Sequence, residues 1–323
     1  MYNPELKSAF ITQNSDSIAV RKNCVLTFNS CAPFEEQWGA DICTQTKETL
    51  APVISKLLGL RVISIENRAR IFQKYGQWCL DNHVPGACDG LLNVQYYSLD
   101  KVRSQMVKNP LQLAEYLDAI LPPASDQGYT NVIRCFFWLA FGGMKEEDTM
   151  LVNCSDVDLD RMVVSFCGDD YPIYREAVPA FKNCSTLTAF TYFHSGYNIY
   201  IGRERMPGNR LLRGVGETPS LGRIRTNITR YKAIAAKNEV DTKGLHLTYG
   251  KVWMSGVFYR TYEKELIGIR PDFMPLVIKI SGGKEYNLSS GRNKVGATYR
   301  AIARDYMTDY KRWKATLNDT LQT

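Results

Sequence analysis

Apolar side chains recur at every third or fourth position through the first part of the chain, which is the spacing of amphipathic helices. The pattern predicts three helices over 17–38, 46–57 and 62–79, and Asp16 or Ser17 can cap the first of them. The apolar positions are Ile18, Val25, Phe28 and Phe34 in the first helix, Leu50, Val53, Ile54 and Leu57 in the second, and Val62, Ile65, Ala69, Phe72, Gly76 and Cys79 in the third.

The face of the third helix opposite its apolar positions is polar. It carries Asn67, Arg70, Lys74 and Gln77, and we call these four residues the polar stripe. Two cations interleaved with two amides suit contacts to DNA phosphates and base edges. A plain solvated helix face is an equally common outcome of the same pattern, and charge alone does not separate the two.

The rest of the chain predicts further helices and one β-hairpin. Almost every residue over 129–141 is apolar, which indicates a buried helix, and the two glycines that follow end it. Two strand-like runs, 162–166 and 171–174, flank the glycine-containing connection 167–170 and predict a hairpin. Other helices are expected over 109–120, from 145–148 onward, and over 178–193, 221–239, 251–266 and 293–317, with a long basic loop over 202–216. The expected fold class is mainly α with a small antiparallel β-hairpin or sheet.

A proline-rich stretch indicates where the chain divides. Leu121-Pro122-Pro123-Ala124-Ser125 stops the helix before it and has the small, turn-forming residues of a linker. We therefore expect two domains, 1–122 and 123–323, and a chain of 323 residues is long enough for both to bury a core. No run of about 18 apolar residues occurs, so no membrane span or membrane partner is expected. The N-terminus lacks the apolar core of a secretion signal, which predicts a cytoplasmic location.

Candidate catalytic and metal chemistry is sparse. The nine cysteines form no Cys-x-x-Cys pair, and His83, His194 and His246 stand far apart, so we expect reduced thiols, no metal and no cofactor. The acidic run Asp156, Asp158 and Asp160 lacks the glycine and glutamate of a calcium loop and indicates a solvated turn.

Charge is distributed unevenly along the chain. The net charge is +7, but residues 201–323 hold 23 basic and 11 acidic side chains, whereas residues 123–200 hold 5 and 10. An asymmetry of this kind is typical of a polyanion partner, although acidic neighbours in the fold can compensate it. On this basis we expect DNA contacts from a further set of residues: Arg213, Arg223, Arg225, Asn227 and Arg230.

The segment 137–148, followed by Ser155-Asp156-Val157-Asp158, resembles the first motif of tyrosine recombinases, the phage integrases. In that family an apolar helix leads into Gly-x-Arg-x-x-Glu, then a helix, then an Asp-hydrophobic-Asp entry into a small sheet. The order of elements here is similar. The resemblance implies a two-domain, integrase-like architecture, with a helical core-binding domain before a catalytic-like α+β domain.

Differences from the catalytic motifs of that family predict that this chain is inactive as a recombinase. Lys145 stands where the first catalytic arginine is expected, and Asp148 stands at its acidic partner. The second motif best matches the segment from Val252, which places Ser255 at the second arginine and Gly256 next to it. A lysine offers one point charge instead of a planar fork, and a serine offers no charge. Losing one such donor commonly costs ~10²–10³ in rate, so these are expected to be vestigial positions and no residue is assigned as catalytic.

Further motifs resemble a narrower branch, the lytic-cycle repressors of SPbeta-type phages (the MrpR family). The matching segments are Tyr2-Asn3-Pro4-Glu5-Leu6-Lys7, Tyr75-Gly76-Gln77-Trp78, Tyr171-Pro172-Ile173-Tyr174-Arg175-Glu176, Pro179-Ala180-Phe181-Lys182-Asn183, Ser255-Gly256-Val257-Phe258-Tyr259 and Asp309-Tyr310-Lys311-Arg312-Trp313-Lys314. This resemblance implies a sequence-specific repressor that binds double-stranded operator DNA in a bacterial host. It leaves open self-association on DNA and a small protein or peptide antagonist.

Two other hypotheses remain at this point. The chain could be a divergent active recombinase in which Lys145 and another arginine complete the site. It could also be an interaction module that kept the fold and lost DNA binding. We favour the repressor over the recombinase, and the recombinase over the interaction module.

Overall fold

A computed structural model divides the chain into two compact units, Met1–Lys101 and Val102–Thr323. The structure describes residues 1–15, 17–57, 62–96, 102, 106–121, 130–186, 188–194, 199–204, 208–214, 220–281 and 294–318. Within these ranges no helix is both long and apolar enough to cross a membrane. As expected from the apolar pattern, the fold is mainly helical with a small antiparallel sheet.

The division between the units falls earlier than the proline-rich stretch suggests. Leu113, Leu117 and Ile120 are buried in the same core as the apolar helix that follows. The helix over 110–120 therefore belongs to the second unit, and the division lies between Lys101 and Val102 rather than at residue 122. Residues 122–125 of that stretch lie outside the described ranges.

In its described residues, the first unit contains the three helices expected from periodicity and two more. Its helices are α1 Pro4–Asn14, α2 Ile18–Trp38, α3 Lys47–Leu57, α4 Val62–Asp81 and α5 Gly90–Asn93, with a 3₁₀ turn over Ile42–Thr44. Ser17 caps α2, since its side chain accepts a hydrogen bond from Val20 N. Two residues expected on the apolar face of α2 do not reach the core: Ile18 is 87% exposed, and Val25 is also exposed. The first buried residue of α2 is Cys24, and Val25, which follows it, lies on the exposed side of the helix.

A buried charge cluster joins four elements of the first unit. The Lys7 ammonium is fully buried, lies 2.5 Å from Glu35 Oε1 and donates to the Tyr2 carbonyl at 2.9 Å. It also lies 3.3 Å from Asp41 Oδ2. The other oxygen of Asp41 accepts from the Tyr75 hydroxyl at 3.0 Å. Lys7 is on α1, Glu35 on α2 and Tyr75 on α4, so this cluster sets how these helices are rotated about their axes.

The second unit is built around an entirely buried helix. Its helices are α6 Pro110–Ile120, α7 Thr130–Gly142, α8 Val178–Thr186, α9 Leu221–Lys237, α10 Tyr249–Leu266, α11 Met274–Ile280 and α12 Lys294–Asn318. Every residue of α7 is buried, as its continuous apolar run predicts. Asn109 caps α6 by accepting from Gln112 N, and Gly143 ends α7 with a φ of 100°.

The predicted hairpin is present and is tighter than expected. Strands β1 Val157–Asp158, β2 Val163–Phe166 and β3 Asp169–Pro172 form one antiparallel sheet, with Phe166 opposite Asp169. Only Cys167 and Gly168 form the turn, and their φ angles of 51° and 83° are those of a type I′ hairpin. Before it, Asp158 Oδ1 accepts from the backbone N–H groups of residues 160 and 161, which makes the expected solvated turn.

Three local expectations differ from the structure. The helix expected over 178–193 ends at Thr186, and β4 Ala189–His194 pairs instead with β5 Ile199–Glu204. Aromatic and β-branched residues, Phe190-Thr191-Tyr192-Phe193, favour a strand over a helix there. The expected basic loop therefore begins only after residue 204. The helix expected from 145–148 onward is a single 3₁₀ turn, Asp148–Leu151.

Removing the buried ammonium of Lys7 should destabilise the first unit. Lys7→Met leaves Glu35 and Asp41 buried without their cation, and breaking a buried pair in this way costs about 3–5 kcal/mol. Hydrogen exchange of the α4 amides, which reports this unit by itself, measures the loss. Lys22→Met, at an exposed position on α2, is the control and should stay within about 0.5 kcal/mol of wild type.

The same variant has a characteristic dependence on pH. Burial already raises the pKa of Glu35, while the contact with Lys7 holds that pKa down. Without Lys7 the pKa of Glu35 should rise further, so the folded variant takes up a proton that the unfolded chain does not. The deficit of Lys7→Met should therefore shrink as the pH falls toward the ordinary pKa of glutamate, about 4.3. A deficit that stays constant or grows on acidification would contradict this account.

Candidate nucleic-acid interface

The polar stripe of α4 is exposed along its whole length. Asn67, Arg70, Lys74 and Gln77 are all solvent-accessible. On the opposite face, the described core positions are Ala69, Phe72, Tyr75, Gly76 and Cys79, and all of them are buried. The helix thus separates a core face from the polar stripe, as the sequence predicts.

Contacts on the buried face fix the direction in which the stripe points. Phe72 stacks on Tyr96 with ring centroids 6.1 Å apart. Tyr75 is held by its hydrogen bond to Asp41. At Gly76 the two helices α4 and α5 approach so closely that a Cβ atom would lie 2.8 Å from Leu91 Cβ. These contacts leave α4 little freedom to rotate, so the stripe is preorganised.

Two polar residues next to the stripe were not among the residues predicted to contact DNA. Gln73 is exposed one turn from Arg70 and adds a third amide to this face. Asp81, the last residue of α4, accepts a hydrogen bond from Gln77 Nε2 at 2.8 Å. Both follow from helical spacing alone: a residue three positions from Arg70, or four from Gln77, lies on the same face.

Helix α9 carries the second group of candidate residues. Ile224, Ile228, Tyr231 and Ala235 bury one side of this helix. Arg223 and Arg225 are exposed, and Asn227 and Arg230 are partly exposed. The helix therefore presents these polar side chains outside the core, as its pattern predicts.

Arg225 and Arg213 make contacts within the protein that a phosphate would have to replace. Arg225 makes a bidentate pair with Glu146, with Nε to Oε1 at 2.8 Å and Nη2 to Oε2 at 2.6 Å. Arg213 donates to the Gly208 carbonyl at 2.5 Å and lies 4.0 Å from Cys154 Sγ. Either guanidinium would have to exchange an internal partner for a phosphate, which sets both apart from the more accessible Arg223.

The structure places the four positions expected to be vestigial in contrasting environments. Lys145 is exposed and Asp148 is partly exposed, whereas Ser255 and Gly256 are buried. The Ser255 hydroxyl donates to the Lys251 carbonyl at 2.8 Å and accepts from Val107 N at 3.0 Å. Position 255 therefore serves the core and presents nothing to a phosphate.

The C-terminal tyrosines pack against other aromatic residues. Tyr310 is 2% exposed and its hydroxyl donates to Glu265. Tyr306 stacks on Phe273 with ring centroids 5.9 Å apart. Burial raises the pKa of both hydroxyls, which makes each a poorer nucleophile. Tyr299 is partly exposed.

The cysteines in the described parts of the chain are free thiols. Six of them are buried, namely Cys24, Cys31, Cys43, Cys79, Cys135 and Cys184. This agrees with the expectation that they act as small hydrophobic residues. Burial raises the pKa of Cys31 to about 12, which keeps this thiol protonated at neutral pH.

Comparison with known families gives a match to the N-terminal part of the chain. Residues 1–81 match the family model described as MrpR, N-terminal core-binding domain. A search of curated proteins finds no match. The matched segment ends at Asp81, so it contains the whole of α4 and the complete polar stripe. The match supports an MrpR-like N-terminal domain and a regulator-like, DNA-binding role.

Close helix packing at Gly256 should make this position intolerant of a side chain. A Cβ atom there would lie 2.6 Å from the carbonyl carbon of Phe141, and this backbone cannot move aside easily. Gly256→Ala should cost about 3 kcal/mol in the free energy of unfolding. The control is Gly250→Ala in the same helix, where no atom lies within 4 Å of the added Cβ. That variant should be neutral or stabilised by up to about 1 kcal/mol in urea unfolding.

Proposed function

We propose that this protein is a sequence-specific, DNA-binding transcriptional repressor, probing operator DNA with α4 and acting in a prophage lytic programme. Its fold is integrase-like, and we propose that it has lost DNA strand exchange. The observation that carries the proposal is the exposed, rigidly held polar stripe within the segment that matches the MrpR core-binding domain. In this proposal the protein acts in the cytoplasm of a bacterial host, where self-association on DNA or a small protein or peptide antagonist would regulate it.

The stripe contains the side chains that duplex recognition requires. An arginine fork fits the two acceptors of guanine in the major groove, and a glutamine amide fits the acceptor and donor of adenine. Arg70 and Gln77 can take these two roles, with Asn67 as a further amide at the start of the stripe. Lys74, a compact point charge, suits a phosphate.

Helix α9 supplies a second candidate contact surface. The segment 201–323 holds 23 basic and 11 acidic side chains, which favours approach to a polyanion. Arg223, Asn227 and Arg230 lie outside the core on one side of the helix, and we assign them mainly to phosphates. Arg213 and Arg225 have internal partners that a phosphate would have to replace.

The environment of the vestigial positions supports binding without catalysis. Phosphoryl transfer to a tyrosine needs cations that grip the reacting phosphate. Lys145 offers one exposed ammonium, but the Ser255 side chain is neutral and fully buried. Tyr310 is buried with its hydroxyl on Glu265, so it is poorly placed to attack DNA.

Substitutions along the stripe should separate base reading from phosphate binding. Arg70→Ala and Gln77→Ala should each relax the preference at one base pair, because a bidentate contact is worth about 1–3 kcal/mol of discrimination. Lys74→Ala should weaken all duplexes equally and reduce the salt slope of binding by about one. Gel shift of a duplex selected by the wild-type protein from a random library, repeated over a salt series, measures both effects.

Lys22→Ala is the matched control for Lys74→Ala, since Lys22 is an equally exposed lysine on α2 of the same unit. It should leave affinity and salt slope near wild type. Failure of the wild-type protein to enrich any sequence from the library would overturn the proposed function. Enrichment that survives all three stripe substitutions would move base recognition away from α4.

A nicked suicide duplex tests the absence of strand exchange. We expect no covalent protein–DNA adduct, and Tyr299→Phe, Tyr306→Phe and Tyr310→Phe should leave DNA affinity near wild type. Denaturing gels of the selected duplex after incubation with the protein detect an adduct. An adduct that disappears in one of these three variants would instead establish an active recombinase with that tyrosine as its nucleophile.

A further inference from the structure

An exposed carboxylate lies at the C-terminal end of the polar stripe. Asp81 is the last residue of α4, four positions after Gln77, and it is solvent-accessible. Gln77 Nε2 donates to Asp81 Oδ1 at 2.8 Å. In the part of the chain that the structure describes, no lysine or arginine pairs with Asp81. Among the described residues, the side-chain amide of Gln77 is therefore the group that hydrogen-bonds to this carboxylate.

Neither helix stability nor phosphate binding explains an aspartate at this position. The C-terminus of a helix carries partial negative charge, so a carboxylate there is unfavourable. On a surface that meets DNA, the same carboxylate repels phosphates. What Asp81 does provide is a fixed orientation for a neighbouring amide that would otherwise rotate freely about its terminal bonds.

That orientation determines which base edge the amide can match. With one N–H donated to Asp81, Gln77 retains one N–H and its carbonyl oxygen for a ligand. One donor beside one acceptor is the complement of adenine, which presents the N7 acceptor and the N6 amino donor in the major groove. Guanine presents two acceptors, N7 and O6, so the glutamine oxygen would face an acceptor there.

We propose that Asp81 is a positioning residue that sets Gln77 to select adenine and reject guanine in the major groove. The inference rests on the proposed function, because it concerns the same surface of α4. Asp81 acts through Gln77 and need not touch DNA. Part of the specificity comes from a cost at guanine, where the oriented Gln77 oxygen faces an acceptor. A freely rotating amide could turn its N–H toward guanine and avoid that cost.

Two substitutions of Asp81 separate its hydrogen bond from its charge. Asp81→Ala removes both, whereas Asp81→Asn removes the charge and keeps an oxygen that can accept from Gln77. The experiment uses the full chain and a duplex selected from a random library by the wild-type protein. In this duplex each base pair is changed in turn, and dissociation constants are measured by gel shift.

The base pair read by Gln77 is the one at which Gln77→Ala loses discrimination. There, wild type should prefer adenine over guanine by about tenfold or more, the range of a bidentate contact. Asp81→Ala should reduce this preference to about twofold, and Asp81→Asn should retain most of it. Both variants should bind unrelated duplex more tightly than wild type, because each removes a negative charge from the DNA-facing surface. In the Gln77→Ala background, Asp81→Ala should cause no further loss of discrimination.

A matched control exists in the same unit. Asn93 Nδ2 donates to Asp89 Oδ2 at 2.6 Å, which is an exposed amide–carboxylate pair with the same spacing, formed by the last residue of α5 and the residue before that helix. Asp89→Asn should change neither the adenine preference nor the affinity for unrelated duplex.

Three outcomes would count against the role of Asp81. The first is an adenine preference in Asp81→Ala within twofold of wild type. The second is an equal loss in Asp81→Ala and Asp81→Asn, which would assign the effect to charge. The third is a loss at every base pair with faster α4 hydrogen exchange, which would assign it to helix support. Failure of the wild-type protein to select any duplex would instead overturn the proposed function, so the two failures are distinguishable.

Discussion

The buried ammonium of Lys7 is the interaction on which the first unit depends. It lies between the carboxylates of Glu35 and Asp41, and Asp41 in turn holds Tyr75 on α4. Buried charges of this kind contribute little net stability compared with an apolar core of the same volume, but they tolerate only one geometry. Because Tyr75 takes part in it, the cluster determines which face of α4 is solvent-exposed. The orientation of the polar stripe is therefore a consequence of the core of this unit.

In the second unit, close packing of one helix backbone against another has the role that the Lys7 cluster has in the first unit. Gly256 lets α10 approach the end of α7, where no side chain would fit against the Phe141 backbone. Next to it, Ser255 accepts from Val107 N, and Trp313 Nε1 donates to the Val107 carbonyl at 2.9 Å. The segment before α6 is thus fixed by groups from α10 and α12. Positions that resemble part of a catalytic motif contribute here to packing.

Sequence periodicity predicts those features that depend on neighbouring residues. Helices α2 to α4, α7 and α9, the hairpin, and the exposure of the stripe all follow from local spacing. It fails where a distant partner decides: Ser255 and Val107 are 148 residues apart, and nothing near Ser255 indicates that its hydroxyl is used in the core. The strand at Ala189–His194 is a different kind of failure, because its own residues favour a strand and its partner β5 lies only a few residues further along the chain. Lys7, like Ser255, carries no local sign of burial.

Binding and catalysis place different demands on a chain of this kind. Strand exchange needs several cations to converge on one phosphate with a nucleophile at attacking distance, and each loss lowers the rate by orders of magnitude. Base recognition needs only that a few side chains on one rigid helix face the duplex, and each contact contributes separately. A chain can therefore lose the first without losing the second. Buried Ser255 and the exposed stripe of α4 illustrate this separation, because the contacts described on the buried face of α4 are with residues of the first unit.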